Sequence, residues 1–177
     1  MIETGDMTAI SSKTDEFIKD LRTTIIAKDL SDDELRLLQT VSSEKRFVKG
    51  EIIITEKSKD RDLYVICEGR VRIEPKMPGN FKAAHRQIFN VRHGQVFGEV
   101  AFLDGDERSA SARARGNVRV YVMDAQKLET LLKENPAIGY KFLRNLGRMV
   151  CKRLRSNNAQ WRSAMLEGTT LRELDYY

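Results

Sequence analysis

The sequence predicts a mainly β protein with helices at both ends, and three observations carry that expectation. Short β-branched or aromatic runs fill its middle, turn residues separate them at intervals of about 8–12 residues, and helical periodicity is confined to the two flanks. The runs are Phe47-Val48, Ile52–Thr55, Leu63–Cys67, Val71–Ile73, Ile88–Val91 and Val118–Met123. Lys49-Gly50, Glu68-Gly69, Pro78-Gly79-Asn80, His93-Gly94 and Arg115-Gly116-Asn117 punctuate them. This argues for an antiparallel sandwich or barrel, since a parallel sheet would alternate its strands with helices.

The flanks follow in order. Residues 12–28 read as a helix with Phe17, Leu21 and Ile25 on one face. Ser31 stands before Asp32-Asp33-Glu34, an N-cap with first-turn acids and a Ser-x-x-Glu capping box, and the helix behind it shows Leu35, Leu37, Leu38 and Val41. After the β region, Asp124 caps a helix through Leu128, Leu131 and Leu132. Asn135-Pro136 interrupts it, because proline lacks the N–H and restricts the residue before it. A long helical stretch then runs from about 137 to 165. Along it Leu143, Leu146, Val150, Leu154, Asn157, Trp161 and Ala164 recur at spacings of three and four, one apolar stripe. Its first half is expected to pack on the β domain. Its second half is longer than one small domain needs, so a two-helix seam with a second copy, a homodimer, is expected.

Composition excludes several classes. At 177 residues with 41% hydrophobic side chains the chain can bury a core, while no apolar run approaches the roughly 20 residues of a spanning helix. The acidic start Met1–Asp6 has no basic region followed by an apolar stretch, so no signal peptide is expected and a cytoplasmic location is. Cys67 and Cys151 make no disulfide framework, and His85 and His93 cannot complete a metal set. No nucleophile elbow or Cys–His signature appears, so neither enzymatic activity nor a metal is expected.

The net charge of +5 is unevenly placed: residues 1–40 carry −4, residues 41–136 carry +4 and residues 137–177 carry +5. The last segment holds Lys141, Arg144, Arg148, Lys152, Arg153, Arg155 and Arg162, with no acid between Ala137 and Leu166. Such a run is a solvated face, or it meets an acidic protein, a nucleic acid backbone or an anionic membrane surface. Without interleaved aromatics or a paired recognition helix, sequence-specific DNA reading is not expected.

Chemistry concentrates in Val96–Ser111. Gly98 opens a short helical turn where backbone N–H groups can meet an anion, and its missing Cβ lets a phosphate come close. Glu99 offers a carboxylate to a sugar hydroxyl. Arg108 supplies a planar fork that matches two phosphate oxygens, and Ser109 stands beside it.

Residues from about Leu30 to Asn158 resemble the cyclic-nucleotide-binding domain of bacterial catabolite-activator-type regulators and kinase regulatory subunits. The resemblance is carried by Val48-Lys49-Gly50-Glu51-Ile52-Ile53, by Leu63–Ile73 with its Cys67-Glu68-Gly69-Arg70, by Gly94–Leu103 and by Glu107-Arg108-Ser109-Ala110-Ser111. It implies a β jelly roll with N-terminal helices and a long C-terminal helix serving as a lid. One departure stands at the first hairpin, where the family usually turns on a glycine and this chain has Glu56-Lys57-Ser58-Lys59.

By position, the resemblance gives Glu99 to the ribose 2′-hydroxyl and Arg108 with Ser109 to the cyclic phosphate. Gly98 and Val100 would supply backbone contacts, and Ala101 and Ala110 complete the ligand-binding set. Phe97, Val91 and Val71 would line the pocket. On the lid helix, Asn157 or Asn158 either reads the purine edge or fixes the register of a helix pair.

The expected organisation is an N-terminal helical extension (1–29), the nucleotide-binding domain (30–158) and a helical arm with tail (159–177). Only Glu167–Tyr177 follow the helix, fewer residues than a helix-turn-helix domain needs, so a stand-alone sensor is expected. Its ligand would be cyclic AMP, with cyclic GMP the alternative, and its output an unidentified protein effector. Two other readings remain: a scaffold that no longer binds nucleotide, and a nonspecific nucleic-acid binder using the basic helix.

Overall fold

Two runs that are apolar almost throughout, Leu63–Cys67 and Val118–Met123, become the central strands of one sheet and face a different core on each side. The computed structural model describes residues 5–75, 89–167 and 174–175, with side chains at 12–75, 89–160, 162 and 163. Pro78-Gly79-Asn80, His85 and Ile88 lie outside the described residues, as do the side chains of Trp161 and Ala164.

Helix α1 (Gly5–Arg22) leads through a 3-10 turn at Ile25–Ala27 to α2 (Asp32–Thr40). Strands β1 (Ser42–Phe47), β2 (Ile52–Ile54), β3 (Leu63–Glu68), β4 (Arg70–Glu74), β5 (Phe89–Arg92) and β6 (Val96–Phe97) follow. After α3 (Glu99–Asp104) come β7 (Ser111–Ala114), β8 (Val118–Met123), α4 (Ala125–Glu134), α5 (Pro136–Glu167) and β9 (Leu174–Asp175). One sheet runs β1-β8-β3-β6 and the other β2-β7-β4-β5-β9; every pairing is antiparallel except β5 with β9. These are the two facing sheets of a jelly roll, with helices at both ends.

Side chains alternate across each strand. Tyr64, Ile66, Val118, Val120 and Val122, together with Phe97 of β6, point into the roll and meet Val71, Val91, Ala112 and Ala114 of the second sheet. Leu63, Val65, Cys67, Tyr121 and Met123 point the other way, against Phe17, Leu21, Ile26, Leu38, Leu128, Phe142 and Leu146 of the helices. Fully burying a side chain such as Phe17 or Leu21 contributes about 1.5–3 kcal/mol. The residues before Leu30 therefore share one core with α5, and the packing draws no line at the boundary expected there.

Several local expectations change. The first helix ends at Arg22, where Thr24 Oγ1 turns back to Leu21 O at 2.7 Å and the chain re-enters as a 3-10 turn. That break buries Ile26 and leaves Ile25 exposed. Ser31 caps α2 with both bonds of the capping box, and Asp124 accepts from Lys127 N. Lys57 adopts φ +64°, so a lysine makes the left-handed turn at the first hairpin that a glycine would make more cheaply. The C-terminal stripe divides in two. Leu146 joins Ile138, Phe142 and Met149 in the core, whereas Leu143 and Leu154 stand exposed on another face of α5.

Candidate functional site

The jelly roll places Val96–Ala110 across one mouth of the barrel, and that segment bends because of Gly98. Its φ is +82°, and a Cβ there would stand 2.8 Å from both Asp62 O and Arg108 Nη1. Gly98→Ala should therefore destabilise the fold by about 1–3 kcal/mol through backbone strain and push the guanidinium aside. A melting temperature within about 2 °C of the parent would contradict this.

Gly98 is also the N-cap of α3, where no side chain caps the first amides. The cavity in front of it has a volume of about 280 Å³, near the lower end of small-ligand pockets. Ile54, Ile73, Phe89, Val91, Phe97 and Ala112 form its apolar wall, and Glu99, Arg108, Ser109 and Arg153 supply polar groups.

Arg108 is 3% exposed and heavily engaged with the chain around it. Its backbone N–H donates to Ser58 O at 3.0 Å, and its carbonyl accepts from Lys57 N at 2.9 Å, so the left-handed hairpin anchors the cassette. Its Nε donates to Asp60 Oδ1 at 3.0 Å, Nη1 to Gly98 O at 3.0 Å, and Nη2 to Asp62 O at 2.8 Å and to Asp60 Oδ1. Four of the five N–H groups of the guanidinium are used, leaving one on Nη1. Burial pushes the Asp60 carboxyl upward, but the hydrogen bonds from Arg108 and Ser58 prevail and hold it below its ordinary range. The guanidinium also lies 5.7 Å from the Tyr64 ring centre. Burial raises the Tyr64 phenol to about 12, so it stays neutral.

Glu99 is 8% exposed and accepts from Arg153 Nη1 at 2.7 Å; Arg153 Nη2 donates to Val96 O at 2.5 Å. The lid helix is thus tied to the cassette through a buried ion pair. A buried carboxylate and a buried guanidinium on one cavity can meet a neutral hydroxyl at the first and an anion at the second.

The structure brings together most of the residues expected at the site. Phe97, Gly98, Glu99, Val100, Ala101, Arg108, Ser109, Ala110 and Val91 all line the cavity. Val71 does not: it is wholly buried in the roll interior. Asn157 and Asn158 do not line it either. Asn158 is exposed, while Asn157 has an Oδ1 shut from solvent with no hydrogen-bond partner among the described residues. Sequence reasoning missed Asp60, Asp62 and Arg153. Arg153 stood in the basic run with nothing to single it out from Lys152 or Arg155.

Residues 44–135 match the family model described as the cyclic nucleotide-binding domain. That is just over half of the chain, and the chain belongs to that family. It is 28% identical over 118 residues to the cAMP-dependent protein kinase regulatory subunit of Candida albicans, covering 67% of this chain and 24% of that protein. It is 25% identical over 126 residues to the cyclic AMP receptor protein of Thermus thermophilus, covering 71% of this chain and 55% of that one. The chain therefore spans less than two thirds of either relative. Among solved structures, a cyclic nucleotide-binding domain from Methylobacillus flagellatus superposes with a TM-score of 0.70 at 24% identity, covering 84% of this chain and 82% of that one. The family fold is a regulatory, ligand-sensing one. Among the described residues no helix is long and apolar enough to cross a membrane.

Proposed function

We propose that this chain is a receptor for cyclic AMP and passes ligand occupancy to a protein partner through α5. The observation that carries the reading is the pairing of buried Glu99 and buried Arg108 on one apolar-walled cavity. Glu99 would accept from the ribose 2′-hydroxyl. Arg108, Ser109 and the backbone near Gly98 and Ala110 would hold the cyclic phosphate. A ligand shifts a conformational equilibrium only by its differential affinity for the two poses. The Arg153–Glu99 pair supplies such a difference, because anything that engages Glu99 competes with its hold on α5.

The purine has a candidate reader in Asn157. It lies one helical turn beyond Arg153 and off the cavity, so it would meet the purine only once α5 shifts toward the pocket; its Oδ1 would then accept from the adenine amino group, which guanine lacks at that position. A thermal scan with cyclic AMP, cyclic GMP and 2′-deoxy cyclic AMP tests ligand, base and ribose together. At 100 times its dissociation constant a ligand adds about 2.7 kcal/mol, which should raise the melting temperature by roughly 5–10 °C. Cyclic AMP should give the largest shift and the deoxy compound a smaller one. No shift with any of them would favour the nucleotide-independent scaffold.

The exposed face of α5 supports a dimer. With Leu146 turned inward, Tyr140, Leu143, Gly147, Val150 and Leu154 recur in heptad spacing, and Tyr140, Leu143 and Leu154 are 67%, 44% and 58% exposed. Leu154→Glu should turn a sedimenting dimer into a folded monomer; an unchanged sedimentation profile would remove the seam.

A further inference from the structure

A second cavity lies behind Arg153, on the far side from the nucleotide pocket. Its volume is about 330 Å³, and three separate segments build it: Thr23 and Ile25, the β5–β6 turn Arg92–Gln95, and Met149, Lys152, Arg153 and Ser156 of α5. Arg92, His93, Lys152 and Arg153 converge there, and no carboxylate lines it.

The turn is rigid. Arg92 N–H donates to Gln95 Oε1 at 2.9 Å, Gly94 N–H to Ile66 O at 2.9 Å, and Gln95 N–H to Arg92 O at 2.9 Å. His93 is pinned by its Nδ1 against Cys67 O. Two of the converging cations, Arg92 and Lys152, are not used by the fold. Neither the Arg92 guanidinium nor the Lys152 ammonium has a partner among the described residues, and Arg92 sits directly across the sheet from Arg70. Like charges directly opposite on a sheet are destabilising, so packing alone gives no reason for Arg92.

We propose that this cleft binds a phosphomonoester carried on a small polar body such as a sugar. Before ligand binds Glu99 balances Arg153, so Arg92 and Lys152 leave two positive charges to attract the −1.5 to −2 of a monoester near neutral pH. Thr23, Gln95 and Ser156 offer hydrogen bonds to hydroxyls, and Ile25 with Met149 gives an apolar floor. Because the Arg153 guanidinium borders both cavities, an anion here draws it from Glu99 and frees that carboxylate for the ligand of the first pocket. This coupling rests on the cyclic-nucleotide reading; the site itself does not.

The test is a nuclear magnetic resonance titration of the full chain with ribose 5-phosphate, repeated with the exposed cations removed as Arg92→Gln/Lys152→Gln. Amide signals at Arg92–Gln95 and around Ser156 should move, and affinity should fall by at least about tenfold in the double variant, which loses two charge-assisted contacts. No response at about 10 mM, a regime weaker than millimolar binding, overturns the site. So do signals that move only at Gly98–Ala110, which would put the phosphate in the first pocket, or an affinity unchanged in the double variant. With ribose 5-phosphate saturating, the dissociation constant for cyclic AMP should tighten by about threefold, a modest coupling. An unaltered constant overturns the link through Arg153. A chain that binds ribose 5-phosphate here but no cyclic nucleotide refutes the receptor reading and leaves the second site standing.

Discussion

Arg108→Ala should weaken cyclic AMP binding by at least about tenfold, because truncating one partner of a buried charge pair costs roughly 2–5 kcal/mol. The same change removes the donor to Asp60, Gly98 O and Asp62 O, so the empty protein should also melt earlier. Arg108→Lys separates the two effects: it keeps the charge but not the fork, and should recover part of the stability and little of the affinity. The stability loss carries a pH signature. Because Arg108 holds the folded Asp60 carboxyl below its unfolded value, that stabilisation is present above the unfolded pKa and is lost as pH falls through the folded one. The gap in melting temperature between parent and Arg108→Ala should therefore be wide at neutral pH and narrow below about pH 3, under the usual carboxylate range. An unchanged dissociation constant for the ligand would remove Arg108 from the site.

The largest effect on stability is expected far from the cavity. Arg119 is 5% exposed and meets carboxylates from α1, β1 and the turn end of β3: Glu68 at 2.8 Å, Asp20 at 2.9 Å, Glu16 at 3.2 Å and Glu44 at 3.8 Å. Among the described residues Nη1 nonetheless makes no well-directed hydrogen bond, so its contacts to Asp20 and Glu16 are ion pairs whose N–H directions miss the oxygens. Burial works against the Arg119 charge, but the hydrogen bond it donates to Glu68 and the charge of Asp20 prevail and raise its pKa further. The same residue lies over Tyr121, which packs edge-on against Phe17 of α1 at 4.7 Å.

Arg119→Leu strands Asp20, whose side chain is 13% exposed, beside Cys67. Breaking a buried pair costs about 3–5 kcal/mol, and the lower figure applies because Glu16 and Glu68 can turn to water. For a chain of this size that is a fall of roughly 6–12 °C in melting temperature. Asp20→Asn in the same chain removes the stranded charge and should restore a good part of the loss. A single-variant loss under about 1 kcal/mol, the range of exposed pairs, would contradict the account.

Legibility in the sequence followed the range of the interaction. Ser31 and Asp124 announce their helices because a cap needs only the next three residues, and both caps form. β3 and β8 are legible because a strand buried on both faces is apolar throughout. β1 is legible only at its end, in Phe47: residues 42–46 carry Glu44, Lys45 and Arg46, as suits an edge strand, and show no apolar signal. The two faces of α5 could not be told apart either, since Leu146 and Leu143 differ only in which neighbour covers them.

At the site, Glu99 and Arg108 stood out only with their ordered frame around them. Asp60, Asp62 and Arg153 did not, because their meaning lies in partners 46–54 residues away. Val71 alternates correctly as an inward residue of β4, yet inward here leads to the core rather than to the cavity.

Calorimetric titration of the purified chain with cyclic AMP tests the central claim most directly. The account predicts one molecule bound per chain, with competition by cyclic GMP and with the heat diminished in Arg108→Ala. Absence of binding up to about 1 mM, the weak end of specific recognition, would contradict it, as would binding that Arg108→Ala leaves intact.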